Sequence, residues 1–103
     1  MIVRIDTHLA EPRGFGYTVS VWGEELYSDS GLSSLLSCIA AAVEGFDDEV
    51  TAAEFAFRGI VSGTYPLHTL ATRPAAVAQH AIDTTTAVYE AEQGAAPGDA
   101  DEG

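Results

Sequence analysis

Residues 2–9 have the sequence IVRIDTHL, and residues 17–22 have the sequence YTVSVW. In both segments apolar and polar side chains alternate, which is typical of a strand with one buried face. The segment between them, EPRGFG at 11–16, contains a proline and two glycines, and such residues favour a chain reversal. The two segments therefore predict an antiparallel β-hairpin at the start of the chain.

A helix is predicted over residues 30–44, after a second turn at 23–25 and a short third strand at 26–27. The polar residues 28–30 offer side-chain oxygens that cap a helix start, and Gly45 is expected to end the helix as a left-handed cap. The large apolar residues at helical spacing are Leu32, Leu35, Leu36, Ile39 and Val43.

Residues 52–62 (AAEFAFRGIVS) admit two interpretations. Their aromatic and β-branched residues favour a strand, whereas Asp48 could cap a helix with its own apolar face. We favour the strand, because the run is short and Gly59 would weaken a helix interior. Residues 63–70 predict a turn followed by an irregular or one-turn helical piece.

A second helix is predicted from residue 72 to about residue 91, because Pro74 suits the first turn of a helix. From residue 93 onward no large apolar residue occurs, which predicts a disordered acidic tail over 93–103. The order β-β-(β)-α-β-α predicts an α+β domain over residues 1–92. It would be a single small domain, with two helices packed on one face of an antiparallel sheet.

The hairpin followed by a helix is similar in its order to the HicB-type antitoxin domain, a β-rich unit with a helix across it. The similarity covers residues 2–44 at most. That family has a proline-containing segment between hairpin and helix, whereas this chain has WGEE at 22–25. The resemblance is one of shared architecture, and no site residue or activity is transferred from it.

The charge of the chain is strongly unbalanced. Sixteen Asp and Glu face four arginines and no lysine, for a formal net charge of −12. Because phosphate groups need cationic partners, we expect no binding to nucleic acid or to an anionic membrane surface. A halophile or a GC-rich genome would produce a similar composition, and excess charge also serves solubility.

The residues that could carry chemistry do not assemble into a known motif. Asp6 and His8 fall on one strand face and could bind a metal with a third ligand such as His68, but two ligands fall short of a site. Cys38 is expected to be an inert core thiol inside the first helix. No nucleophile elbow or phosphate-binding glycine loop occurs. We therefore expect no catalysis and no cofactor.

Trp22 is the strongest candidate for a binding residue. It falls on the polar face of its strand, away from the buried side chains, where a large aromatic can anchor a partner. The alternative is that a third layer, or a loop such as 65–67, covers it. The other candidate binding residues are the carboxylates Glu24, Glu25, Asp47, Asp48 and Glu49.

These features favour a small protein-binding module of the inhibitor, antitoxin, immunity or phage counter-defence type, whose anionic surface meets a basic partner. The first alternative is a homo-oligomeric structural or assembly protein, such as a homodimer paired through open strand edges. The second is a metal- or small-molecule-dependent activity around Asp6, His8 and His68. With no leader and no apolar run of about 18 residues, we expect a cytoplasmic location in a prokaryotic or phage-infected cell.

Overall fold

The computed structural model describes residues 1–10 and 13–94, in which a five-stranded mixed sheet carries three helices on one face. The elements are β1 Ile2–Leu9, β2 Phe15–Val21, β3 Glu24–Leu32, α1 Leu35–Glu44, β4 Ala52–Phe57, β5 Ile60–Pro66, α2 Leu67–Thr72 and α3 Pro74–Gly94. The strands lie in the order β3-β2-β1-β4-β5. The predicted α+β class is confirmed.

Strand β1 lies at the centre of the sheet and is buried on one face only. Val3, Ile5 and Thr7 point into the core beneath the helices, and the Thr7 hydroxyl donates to the Ala56 carbonyl at 2.7 Å. The residues between them lie on the opposite face, which no helix covers in the described part of the chain. We call this face the open face.

The first helix begins five residues later than predicted. Residues 28–30 belong to β3, which pairs with β2 along most of its length, and the helix N-cap is Ser34. The Ser34 hydroxyl accepts a hydrogen bond from the Ser37 amide at 3.0 Å. Gly45 does end the helix, but with a φ of −88° and not in the left-handed conformation. Strand pairing outweighed the cap-like sequence because it satisfies the backbone groups of the whole segment.

Residues 52–62 form strand structure, as favoured, but they contain two strands. Arg58 and Gly59 have φ values of 55° and 83° and connect β4 to β5 as a two-residue hairpin turn. Strand β5 continues to Pro66, so the turn predicted in the first part of 63–70 is wrong, whereas the helical piece predicted after it corresponds to α2. The pairing of β5 with β4 supplies the hydrogen bonds that make this glycine-containing segment a strand.

The sheet is mixed, whereas the sequence predicted an antiparallel one. Helix α1 carries the chain back to the end of the sheet at which β1 begins, so β4 runs parallel to β1. Three helices replace the predicted two, because the short α2 precedes α3. Pro74 opens α3 as predicted, and the helix ends at Gly94. Residues 11–12 of the first predicted turn and residues 95–103 of the predicted tail lie outside the described residues.

Tyr27 fastens β3 to the end of α1. Its hydroxyl donates to the Ala42 carbonyl, and its ring meets the ring of Tyr17 edge-on, with centroids 6.3 Å apart. Gly45 lies directly against this ring: a Cβ at that position would be 2.6 Å from the Tyr27 Cζ atom. The contact needs a residue without a side chain at position 45.

We expect Gly45→Ala to lower the free energy of unfolding by about 1–3 kcal/mol, because the added methyl group overlaps the Tyr27 ring. In a Tyr27→Leu background the same change should be neutral, or stabilising by up to about 1 kcal/mol, since it then only restricts the unfolded chain. Urea unfolding of the four proteins measures both effects. Equal costs in the two backgrounds would contradict the contact.

Candidate functional site

Trp22 lies in the turn between β2 and β3 and not at the end of the strand, where the sequence placed it. Val21 pairs with Glu24, so Trp22 and Gly23 alone form the turn, with φ values of 55° and 80°. Turns of this kind favour Asn-Gly, because both central residues are left-handed. A bulky side chain in this region is rare and costs the fold about 1 kcal/mol.

The Trp22 side chain is 97% exposed, the highest value among the large apolar residues that the structure describes. The loop around residues 65–67 does not cover it, since residues 65 and 66 end β5 at the opposite edge of the sheet. Trp22 therefore has an unfavourable backbone conformation, and almost none of its indole ring is buried.

The turn at Arg58 provides an internal comparison. Arg58 has the same φ of 55° and is also followed by a glycine. Its guanidinium, however, lies over the ring of Tyr89 in α3, with the Cζ atom 5.1 Å from the ring centroid. This cation–π contact stabilises the fold. One of the two strained turn residues thus has a role within the fold, whereas Trp22 is turned outward.

Trp22 is also among the residues that line a groove on the open face, which we call the open-face groove. Its volume is about 630 Å³, and it crosses the ends of β2, β1, β4 and β5. The side chains that line it with Trp22 include Ile2, Arg4, Asp6, Ser20, Glu54 and Thr64. An aromatic residue, an aliphatic residue and charged residues therefore line one concave surface.

The charged centre of the open-face groove is Arg4, held between two carboxylates. Its Nε atom donates to the two carboxylate oxygens of Asp6 at 2.9 and 3.0 Å, and its Nη1 atom donates to Oε1 of Glu54 at 3.2 Å. The hydrogen bonds that Arg4 donates to Asp6 raise the pKa of Arg4. Two anions and one cation leave this centre with a net charge of −1.

The predicted binding carboxylates all lie at the Trp22 end of the sheet. Glu24 and Glu25 begin β3 beside the turn, and residues 47–49 lie in the loop that leads into β4. The Met1 amino group donates to the Glu49 carbonyl at 2.8 Å, which places this loop at the start of β1. All five carboxylate side chains are exposed. We call Glu24, Glu25, Asp47, Asp48 and Glu49 the acidic rim.

Some of the acidic rim also supports local structure. The Asp47 carboxylate accepts a hydrogen bond from the Glu49 amide at 2.9 Å, and Glu25 accepts one from the Ser28 hydroxyl at 3.1 Å. Asp47 therefore stabilises the loop in which it lies. These hydrogen bonds do not neutralise the two carboxylates, because they are exposed and their donors are uncharged groups.

The weak metal candidates are not brought together. Asp6 and His8 lie on the open face of β1, but Asp6 is paired with Arg4, and His68 belongs to α2 on the helix side. Within residues 1–10 and 13–94, no group of three His, Cys, Asp or Glu side chains could hold a metal ion. Cys38 is fully buried in α1, and burial raises the pKa of its thiol to about 11. It is therefore protonated at neutral pH, when a thiol is a poor nucleophile.

No family model, curated protein or solved structure matches the chain. Among the helices that the structure describes, none is both long enough and apolar enough to cross a membrane.

We expect Trp22→Asn to raise the free energy of unfolding by about 1 kcal/mol, because asparagine tolerates the left-handed conformation. Arg58→Asn is the matched control at the same backbone geometry. Asparagine removes the same backbone strain at position 58, but the variant loses the contact with Tyr89, worth about 0.5–1 kcal/mol. Its free energy of unfolding should therefore stay close to that of the wild type. Urea unfolding midpoints measure both. A lower stability for Trp22→Asn would show that the indole packs on the fold.

Proposed function

We propose that this chain is a non-catalytic protein-binding module that docks onto the basic surface of another protein through Trp22 and the acidic rim. The observation that carries the proposal is the almost complete exposure of Trp22 on a strained backbone. Tryptophan is among the residues that dominate binding energy when a partner buries them. Residues with a strained backbone conformation cluster at ligand-contacting sites.

Electrostatics supports a basic partner. The net charge of −12 includes five exposed carboxylates at the Trp22 end of the sheet, and like charges there would repel an acidic protein. A basic surface would be attracted over a distance of about 10 Å at moderate salt, which speeds encounter and fixes orientation. A module of this kind suits an inhibitor, antitoxin, immunity or phage counter-defence protein in the cytoplasm of a prokaryotic or phage-infected cell.

A homo-oligomeric structural or assembly protein is the second candidate. The observation in its favour is a bare sheet face with exposed apolar side chains, among them Ile2 and Val61. Charge opposes it, because two copies would bring two strongly anionic surfaces together. The edge strand β3 is also irregular in its pairing and carries Glu24, Glu25 and Asp29, features that discourage strand addition.

The test is capture from a lysate of the source cells on immobilised wild-type protein, Trp22→Asn and Arg58→Asn. We expect a basic protein that binds wild type and Arg58→Asn, is released as salt is raised, and is lost from Trp22→Asn. Equal retention on Trp22→Asn, or retention that does not depend on salt, would contradict the proposal.

Light scattering over a concentration series separates the second candidate. The binding-module proposal predicts the mass of one chain, 10.8 kDa, throughout. A mass that rises to twice this value with concentration would favour the homo-oligomer instead.

A further inference from the structure

At the centre of the open-face groove, the carboxylates of Asp6 and Glu54 bind a guanidinium, that of Arg4. Asp6 and Glu54 lie on the adjacent parallel strands β1 and β4, and both reach the guanidinium of Arg4. Their side chains are only partly buried, with 41% and 39% of their surface exposed. A planar cation can therefore approach the same oxygens from solvent.

The carboxylates retain acceptor capacity beyond what Arg4 uses. Each ionised carboxylate can accept about four hydrogen bonds. Arg4 makes two bonds to Asp6 and one to Glu54, where it contacts Oε1 only. Together with the net charge of −1, this leaves the centre able to hold a second cation beside Arg4, or a partner cation in its place.

The remaining walls of the groove fit the rest of an arginine side chain. Trp22 is almost fully exposed, and a guanidinium stacks on an indole ring better than an ammonium group does. Ile2 is 58% exposed and lines the same groove, which gives the aliphatic stem of a long cationic side chain an apolar contact. An acidic ligand would meet repulsion here, and a purely apolar ligand would leave the charges without partners.

We propose that the open-face groove is a docking site for an extended basic segment of the partner protein, with an arginine bound between Trp22 and the carboxylates of Asp6 and Glu54. The assignment rests on the proposed function and names the chemistry that the partner must present. Charge complementarity selects this occupant, because a second copy of the chain would bring a net charge of −12 to an anionic groove.

Fluorescence of the single tryptophan reports directly on this site. The probe is an acetylated and amidated Gly-Arg-Gly-Arg-Gly peptide, titrated at about 20 mM salt, where screening is weak. Two matched peptides replace arginine by lysine, which keeps the charge, or by citrulline, which keeps the shape. We expect saturable changes in Trp22 emission, with affinity falling from arginine to lysine and no binding by citrulline. Equal responses to arginine and citrulline would overturn the assignment.

Two pairs of variants separate the groove from the general acidity of the chain. Glu54→Gln should weaken binding of the arginine peptide by about threefold to fivefold, whereas Glu92→Gln, the same charge change on α3, should alter it less than twofold. Arg4→Gln should strengthen binding by about threefold, because it frees both carboxylates, and Arg73→Gln should not. Equal effects within either pair would show attraction by net charge only. Circular dichroism verifies that each variant is folded.

The experiments can contradict the groove assignment without contradicting the proposed binding function. If the arginine peptide does not change Trp22 emission but a basic protein from the lysate still requires Trp22, the binding function stands and the groove assignment is wrong. If neither binds, both are wrong. Emission changes that depend on protein concentration without peptide would indicate that a second copy occupies the groove, which also overturns the assignment.

Discussion

The burial of one face of β1 is the constraint on which the rest of the structure depends. Successive side chains of a strand point to opposite faces, so placing Val3, Ile5 and Thr7 in the core also places Arg4 and Asp6 on the open face. A shift of one residue in pairing would exchange the two sets and bury the charged residues without water. The core of this protein therefore determines the chemistry of its exposed surface.

The candidate site follows from the same strand through its two neighbours. The parallel register with β4 places Glu54 beside Arg4, and the antiparallel register with β2 places Ser20 on the other side. Because β2 ends at that level, the turn containing Trp22 lies next to the start of β1. An aromatic residue and a charged centre distant in sequence thus meet at one groove.

Local sequence patterns predicted the parts of this arrangement that depend on short-range periodicity. Alternation identified the first hairpin, but it also extended the second strand to Trp22, which the structure places in the turn after β2. The spacing of Arg4 and Asp6 was also visible, because residues two apart on a strand share a face. Their pairing was not predicted, because residues 4, 6 and 8 all share this face and alternation does not distinguish Arg4 from His8 as the partner of Asp6.

Other parts depend on pairing between distant strands, which no local pattern encodes. The segment SDSG at 28–31 has the composition of a helix cap, and only its ladder with β2 makes it a strand. Glu54 became part of the site through the parallel register of β4, which requires the crossover of α1. The continuation of β5 beyond residue 62 was not predicted, because Gly63 and Pro66 are typical turn residues and only the pairing with β4 makes this segment a strand.

The proposed binding function depends most directly on the indole of Trp22 being open to solvent in the free protein. Acrylamide quenching of its fluorescence measures this, with N-acetyltryptophanamide in the same buffer as the reference for a fully exposed indole. We expect an emission maximum close to that of the reference and a quenching constant that does not change with protein concentration. A blue-shifted maximum with slow quenching at every concentration would contradict the account, because it would show that the chain covers Trp22 itself.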